Sequence, residues 1–272
     1  MAAGKDYRRK YQAQFLCREE LGAQKLSFVL VMRESIRKYW VWLAVLPVLT
    51  SSFVRAQSTL DIKLSIGGTL AGEWNPPIIN TGSSYIINDV HYNPVGASLF
   101  CYNMSVGYDP FISASVDVIN NTASIQTYSL TFTLPISPAI TIGSRVGGST
   151  QGGVTDANFN GIGILSTVGA GSALYYGLID GSNVLPLYPD LKTMNAPFAG
   201  GSASDTTSAG LPGPTIAGPN ALTSIGIKHE FSLTPGDRAT FTSFFVVEPV
   251  PEPASLSLLA IGGLMLLCRR RP

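Results

Sequence analysis

Apolar and polar residues alternate along much of the chain between Asp61 and Val247. Ile62, Leu64 and Ile66 are interleaved with Asp61, Lys63 and Ser65. Phe100, Tyr102, Met104, Val106 and Tyr108 fall at every second position and predict one face of a long strand. Ile112, Ala114, Val116 and Val118 follow, then Tyr128, Leu130, Phe132 and Leu134. Ile225, Ile227, Phe231 and Leu233 repeat the pattern, and a last strand is predicted over Ala239–Val247. Successive side chains of a strand point to opposite faces, so a period of two gives each strand one core-facing side. No run of this region shows the helical period.

Turn chemistry separates the runs. Asp109-Pro110 joins two of them, and Asn120-Asn121-Thr122-Ala123 the next two. Thr234-Pro235-Gly236-Asp237 puts Pro and Gly at the two central positions of a type II turn. Residues 199–220 are rich in Gly, Ser, Thr and Pro without periodicity, and read as a mobile surface loop. The fold class predicted is all-β: an antiparallel β-sandwich ectodomain, with an N-terminal signal helix and a short C-terminal transmembrane helix.

Composition supports this. Of 272 residues, 28 are Gly and 18 Pro, a load that argues against a helical bundle. Charged residues are only 13% and hydrophobic ones 45%, which argues against a disordered chain. The net charge of +1 hides a segregation: residues 1–56 carry ten Lys and Arg against four acids, and residues 57–248 five against twelve. An acidic body between basic ends does not fit a nucleic-acid binder, which places its Lys and Arg on the folded domain. It fits a protein whose ends meet a membrane.

At the N-terminal side, Arg33, Arg37 and Lys38 precede the apolar run Trp40–Leu49, and Val54-Arg55-Ala56 follows. Basic region, short apolar run and small residues at −3 and −1 form a secretory signal peptide over 32–56, cleaved between Ala56 and Gln57. Residues 1–31 fit no signal layout, and Met32 stands where translation of an ordinary signal peptide begins, so 1–31 reads as an over-extended start without fold. The secreted domain is then 57–248. The tail, 249–272, has three parts in order: Val250-Pro251-Glu252-Pro253, an uncharged stretch Ala254–Cys268, and Arg269-Arg270-Arg271. The arginines belong on the cytoplasmic side and act as a stop-transfer block. Fifteen helical residues reach about 22 Å, short of the ~30 Å hydrocarbon core.

This tail resembles the PEP-CTERM sorting signal of Gram-negative bacteria that make exopolysaccharide. The resemblance implies a partner, exosortase, a membrane-embedded cysteine transpeptidase-like enzyme that cuts near the Pro-Glu-Pro motif. Pro251, Glu252 and Pro253 are then recognition residues, with two prolines holding an extended backbone around one charge. It also implies export across the inner membrane, transient anchoring there, and a final place at the cell surface or outside the cell, with exopolysaccharide as a candidate partner and no nucleic acid. Leu233–Asp237 is similar to a Leu-(Ser/Thr)-Pro-Gly-Asp hairpin found before the last strand of such proteins.

The body offers little catalytic chemistry. Gly147–Gly153 lacks the ending of a phosphate-binding loop, and no Gly-x-Ser-x-Gly elbow occurs. His229 falls on the apolar face of its strand and reads as a hydrogen-bonded core residue. Cys101 is the single cysteine of the predicted mature domain, facing away from Phe100 and Tyr102, and reads as a small buried hydrophobe. Asp156, Asn158 and Asn160, followed by Gly161, match positions 1, 3, 5 and 6 of a calcium loop, but position 12 is Thr167 rather than Glu. That pattern favours an Asx turn over Ca2+, so no cofactor is expected.

Two function classes follow. The first is an exported, non-enzymatic surface or extracellular-matrix protein sorted by exosortase. The second is a secreted carbohydrate-binding module or degraded hydrolase domain, in which Trp74, Tyr175, Tyr176 and Tyr188 stack on sugar rings. A coplanar aromatic strip on one sheet favours the second, scattered rings the first.

Overall fold

The structure is a computed structural model, and it describes residues 55–56, 59–82, 84–107 and 109–250. The predicted signal peptide before Arg55, the segment 1–31, Gln57 and the tail from Pro251 lie outside the described residues. The short N-terminal strands are β1 (Arg55–Ala56), β2 (Asp61–Ile66), β3 (Thr69–Trp74), β4 (Ile78–Asn80), β5 (Ser84–Ile87) and β6 (Val90–Tyr92). Four long ones follow: β7 (Ala97–Gly107), β8 (Phe111–Asn120), β9 (Gln126–Ser137) and β10 (Ser144–Thr155). Then come β11 (Gly163–Ser166), β12 (Ala173–Ile179), β13 (Ser182–Pro189) and β14 (Thr193–Ala196). The last are β15 (Ser202–Ala209), β16 (Ile216–Gly218), β17 (Ser224–Leu233) and β18 (Arg238–Pro249). Among the described residues there is no helix.

The strands form two nine-stranded antiparallel sheets. The first runs β13-β12-β17-β9-β2-β3, with β1, β11 and β14 at its margins. The second runs β15-β10-β18-β8-β7-β5-β4, with β6 and β16 attached. Their inner faces supply one core, whose largest buried side chains include Tyr128, Tyr175, Phe132, Phe231, Phe241 and Phe245. The predicted inward sets on β2, β8, β9 and β17 are buried as expected, save Ile66 at the end of β2, which is half-buried. Two close approaches need glycine: a Cβ on Gly177 would sit 2.3 Å from the Phe245 ring, and one on Gly148 2.8 Å from the Tyr175 hydroxyl. The glycines that fail as a phosphate loop therefore belong to a central strand, β10, thin enough to admit an aromatic ring from the facing sheet.

Three expectations are corrected. Residues 199–220 are not a loop throughout: β15 pairs with β10 from Ala209↔Gly148 to Ser202↔Thr155, and β16 pairs with the start of β10. Their Ser and Thr side chains hide no apolar face, so no period was visible; they close an edge by backbone hydrogen bonds. Phe100 and Tyr102 do not share a face with Met104 and Val106. A bulge between Tyr102 and Ser105, with Asn103 at φ 50°, shifts the register, so Ala97, Leu99 and Cys101 point inward before it and Met104 and Val106 after it. Thr234–Asp237 forms the predicted turn, with Gly236 at φ 72°, but it is no hairpin. Strands β17 and β18 lie in different sheets, and the turn is a corner between them.

A second corner, between β8 and β9, stands beside the first. Asn120, wholly buried, ties them: its N–H donates to Asp237 O (3.0 Å), its carbonyl accepts from Gly236 N–H (2.8 Å), and its amide reaches Leu233 O (3.0 Å). These corners define one end of the sandwich. The opposite end carries both termini of the described body. Arg55 and Ala56 pair with Ser137 and Ile136 at the end of β9, and Pro249 pairs with Ser144 at the start of β10. Only residues 138–143 separate those two places.

Candidate functional site

The tail leaves from the middle of a sheet. Strand β18 is paired along its length with β10, and over Arg238–Val246 with β8 as well. Arg145 stands opposite Glu248, and Val250 N–H still donates to Gly143 O (3.3 Å). Strand order thus persists up to the residue before Pro251. Pro251, Glu252 and Pro253, and Arg269, Arg270 and Arg271, lie outside the described residues; of the predicted cleavage pair, Ala56 lies in β1 and Gln57 outside. Among the described residues no helix is long and apolar enough to cross a membrane.

The Asp156 loop sits at the far end, against the Thr234–Asp237 corner. Asp156 is wholly buried, and its carboxyl oxygens accept from the N–H groups of Gly161 (2.7 Å), Gly200 (3.2 Å) and Asn160 (3.3 Å). Asn158 Oδ1 accepts from Asn160 N–H (2.9 Å), its amide donates to Pro235 O (2.6 Å), and Asn160 Oδ1 accepts from Ile162 N–H (2.7 Å). The three predicted side chains are brought together, yet the oxygen atoms aim at backbone N–H groups, as in nested Asx turns. No group of three or more His, Cys, Asp or Glu placed to hold a metal ion occurs among the described residues. The loop holds Phe159 at φ 62°, with its ring over Gly200 and 72% exposed, near Ile162 and Phe198, which are also exposed. Sequence reading missed the second acid there. Asp237, also wholly buried, contacts the Asp156 carboxyl; burial pushes its carboxyl up, the Thr234 hydroxyl opposes this, and Asp156 adds to the rise. Its signal was present, but Asp237 read as a turn residue.

His229 is a core residue, as its position on the apolar face predicted. Nδ1 faces Leu174 O (3.3 Å), which can only accept, so Nδ1 carries the proton; Nε2 then accepts from the Ser243 hydroxyl (3.1 Å), which lies 2.8 Å from Thr150 Oγ1. The ring stacks on Phe241 at 4.3 Å, and burial lowers its pKa to about 3 against the weaker opposing pull of the Leu174 carbonyl. His229, Ser243 and Thr150 are all buried between the sheets, out of reach of a substrate. Cys101 is buried too, and burial pushes its thiol up to about 12.

The aromatics proposed for sugar stacking do not form a strip. Tyr175, Tyr176 and Tyr188 are buried, and Trp74 is half-buried against Tyr92 at 4.3 Å, folded over Gly72. Other rings do share a surface. Phe111 and Phe244 (5.6 Å apart) and Tyr102, which donates to Asp117 (3.2 Å), lie half-buried on the outer face of β18, β8 and β7. Phe100 stacks on His91 at 3.9 Å beside them, and Ser113, Ser115 and Thr242 fill the same face. Phe111 and Phe244 occupy the outward parity of their strands, which is the signal that could have found them; Phe100 and Tyr102 share the parity of the inward Met104 and Val106, and only the bulge turns them outward.

No curated protein matches the chain. Among solved structures, TmCBM61 in complex with β-1,4-galactotriose is 15% identical, covering 50% of this chain and 71% of that one, with a TM-score of 0.23. The K1 cleaved adhesin domain of Lys-gingipain from Porphyromonas gingivalis W83 is 12% identical, covering 64% and 94%, with the same TM-score of 0.23. At that score neither neighbour bears on fold or ligand. The model of the PEP-CTERM protein-sorting motif matches residues 249–271, the segment that begins where β18 ends. The chain thus carries, over its last residues, the PEP-CTERM protein-sorting motif.

Proposed function

We propose that this is a non-enzymatic surface or extracellular-matrix protein, exported through its signal peptide and processed by exosortase at Pro251-Glu252-Pro253. The supporting observation is the PEP-CTERM sorting motif at residues 249–271, which begins where the central strand β18 ends. Twelve paired residues of β18 hold the body together up to Pro249, so cutting at the motif releases a domain with its sheets intact. Residues 57–248 are then the mature body, and Arg269–Arg271 hold the precursor in the inner membrane until processing. Glu252→Ala tests this: export and insertion persist, because signal peptide and arginines are unchanged, while unprocessed precursor accumulates. Deleting Arg269–Arg271 instead weakens retention. A Glu252→Ala chain trimmed and released like wild type overturns the sorting role.

A second reading, carbohydrate binding, is favoured by the outer face of β7, β8 and β18. Half-exposed rings interleaved with hydroxyls suit a sugar polymer, whose C–H faces stack on rings while its hydroxyls find partners. Phe244→Ala with Phe111→Ala should abolish retention on immobilised exopolysaccharide without lowering secretion. Unchanged retention removes this reading.

A further inference from the structure

The end of the sandwich from which the tail leaves has a surface unlike the rest of the body. It is built by residues 138–143, 210–215 and 219–223, which contain no Asp, Glu, Lys or Arg. Ile140 and Ala221 pair across it, Gly143 N–H donates to Asn220 Oδ1 (2.8 Å), and Ser144 Oγ donates to Pro219 O (2.7 Å). On this fixed frame Ile142 and Leu222 are 53% and 52% exposed. The nearby acid Asp180 is turned back on the protein. Burial raises its carboxyl, but donors from Leu222, Thr223 and Ser224 (2.7–2.9 Å) outweigh that and hold it below the ordinary range. Asp109, on the turn before β8, and Asp180 are exposed acids at this end, and Arg145 and Glu248, also exposed, stand opposite each other one register position in from Pro249.

Chain length decides what this surface meets. Val250 is fixed to Gly143, and Ala254 begins the uncharged stretch, so three residues lie between them. Fully extended, that spacing covers at most about 14 Å. The headgroup layer on one side of a bilayer is itself roughly 5–8 Å deep. A body tied this closely to an inserted segment has no room for a solvated gap. Before signal cleavage the leader joins the same end, through Arg55–Ala56 on β9. The far end exposes Phe159, Phe198, Leu191 and Val95, but β18 alone puts about 40 Å between it and the tail exit.

We propose that, in the precursor, the end of the sandwich formed by residues 138–143, 210–215 and 219–223 docks on the outer surface of the inner membrane, with Ile142 and Leu222 entering the interface. This rests on the reading of the tail as membrane-inserted. Docking fixes the orientation of the body and presents Pro251-Glu252-Pro253 at the lipid boundary, at the depth where a membrane-embedded processing enzyme works. Apolar side chains on an uncharged frame suit the headgroup–acyl boundary, where burying each contributes hydrophobic free energy without desolvating a charge.

The test uses the full chain, tail included, in vesicles of phosphatidylethanolamine and phosphatidylglycerol. In a Cys17→Ser, Cys268→Ser background, buried Cys101 does not label, and single cysteines carry an environment-sensitive dye. Ile142→Cys and Leu222→Cys report the docked end, Val95→Cys and Leu191→Cys the far end, and Leu259→Cys the tail. The expected result is quenching by spin-labelled lipid at positions 142, 222 and 259, several-fold stronger than at 95 and 191. Quenching at 259 with positions 142 and 222 as water-exposed as 191 overturns the docking while leaving the tail reading intact. An unquenched dye at 259 overturns the tail reading, and the docking with it.

Discussion

The carboxyl groups of Asp156 and Asp237 touch in the closed corner between the sheets, and both side chains are wholly buried. Burial and the neighbouring Asp156 carboxyl both disfavour the ionised form of Asp237. Asp237 is pushed upward by burial first, against the Thr234 hydroxyl and the Ala157 N–H, with Asp156 adding to the rise. Asp156 itself accepts three backbone N–H groups.

The sign of the pH effect follows. A carboxyl whose folded pKa lies above its unfolded value contributes stability that is complete below the unfolded pKa and is lost as pH rises through the folded one. Stability attributable to Asp237 therefore increases as pH falls from neutral toward 4. Asp117 acts in the same direction, raised by burial against the pull of Arg238 and Tyr102, so wild type alone does not isolate Asp237. Asp237→Asn, which keeps a donor toward Asp156 but cannot titrate, should remove part of that pH dependence. Identical melting profiles of wild type and variant between pH 4 and 8 would show that Asp237 does not contribute in this way.

His229 works in the opposite sense. Its folded pKa of about 3 lies below the ordinary 6.5, so its contribution is present above 6.5 and is lost as pH falls toward 3. His229→Gln should flatten the decline of melting temperature between pH 6.5 and 4. It should also cost about 1–3 kcal/mol if Leu174 O or Ser243 is left without a partner. A resonance assigned to His229 by its loss in His229→Gln that titrates near 6.5 in the folded protein refutes the buried neutral ring.

Gly177→Ala should be among the most costly single-methyl additions to this fold. The new Cβ meets the Phe245 ring at 2.3 Å, in a core that relaxes poorly, and about 1–3 kcal/mol is expected. Phe245→Leu in the same chain should recover part of the loss, read as a non-additive double-mutant cycle in urea. Full additivity means that the two residues do not press on each other.

Millimolar calcium should leave the melting temperature unchanged, because the oxygens of Asp156, Asn158 and Asn160 already accept backbone N–H groups. Binding to the native state alone raises stability by mass action. A rise that Asp156→Ala abolishes reverses this reading.

Period-two alternation was enough for the all-β class and for the buried face of β2, β8, β9 and β17, because one side of each must leave water and its residues show it. It could not reveal β15, whose Ser, Thr and Asp residues bury nothing, since backbone pairing leaves no mark in side-chain hydrophobicity. It misassigned Phe100 and Tyr102, because the bulge before Ser105 inserts a residue that periodicity counts as ordinary strand. Turn chemistry placed Thr234–Asp237 correctly but left open which sheet receives the next strand.

The tail was legible because its information is linear: a short motif, an apolar stretch and an arginine block follow one another in order, whatever the body's fold. What the sequence by itself determined is thus the sorting signal, the strand class and most inward faces. Tertiary structure alone decided that Asp156 meets Asp237, that His229 meets Ser243, that the outward rings of three strands share one face, and that both chain ends leave together. Each of these depends on which strands lie side by side or face to face, a choice made by whole-sheet packing and not by any local stretch of residues.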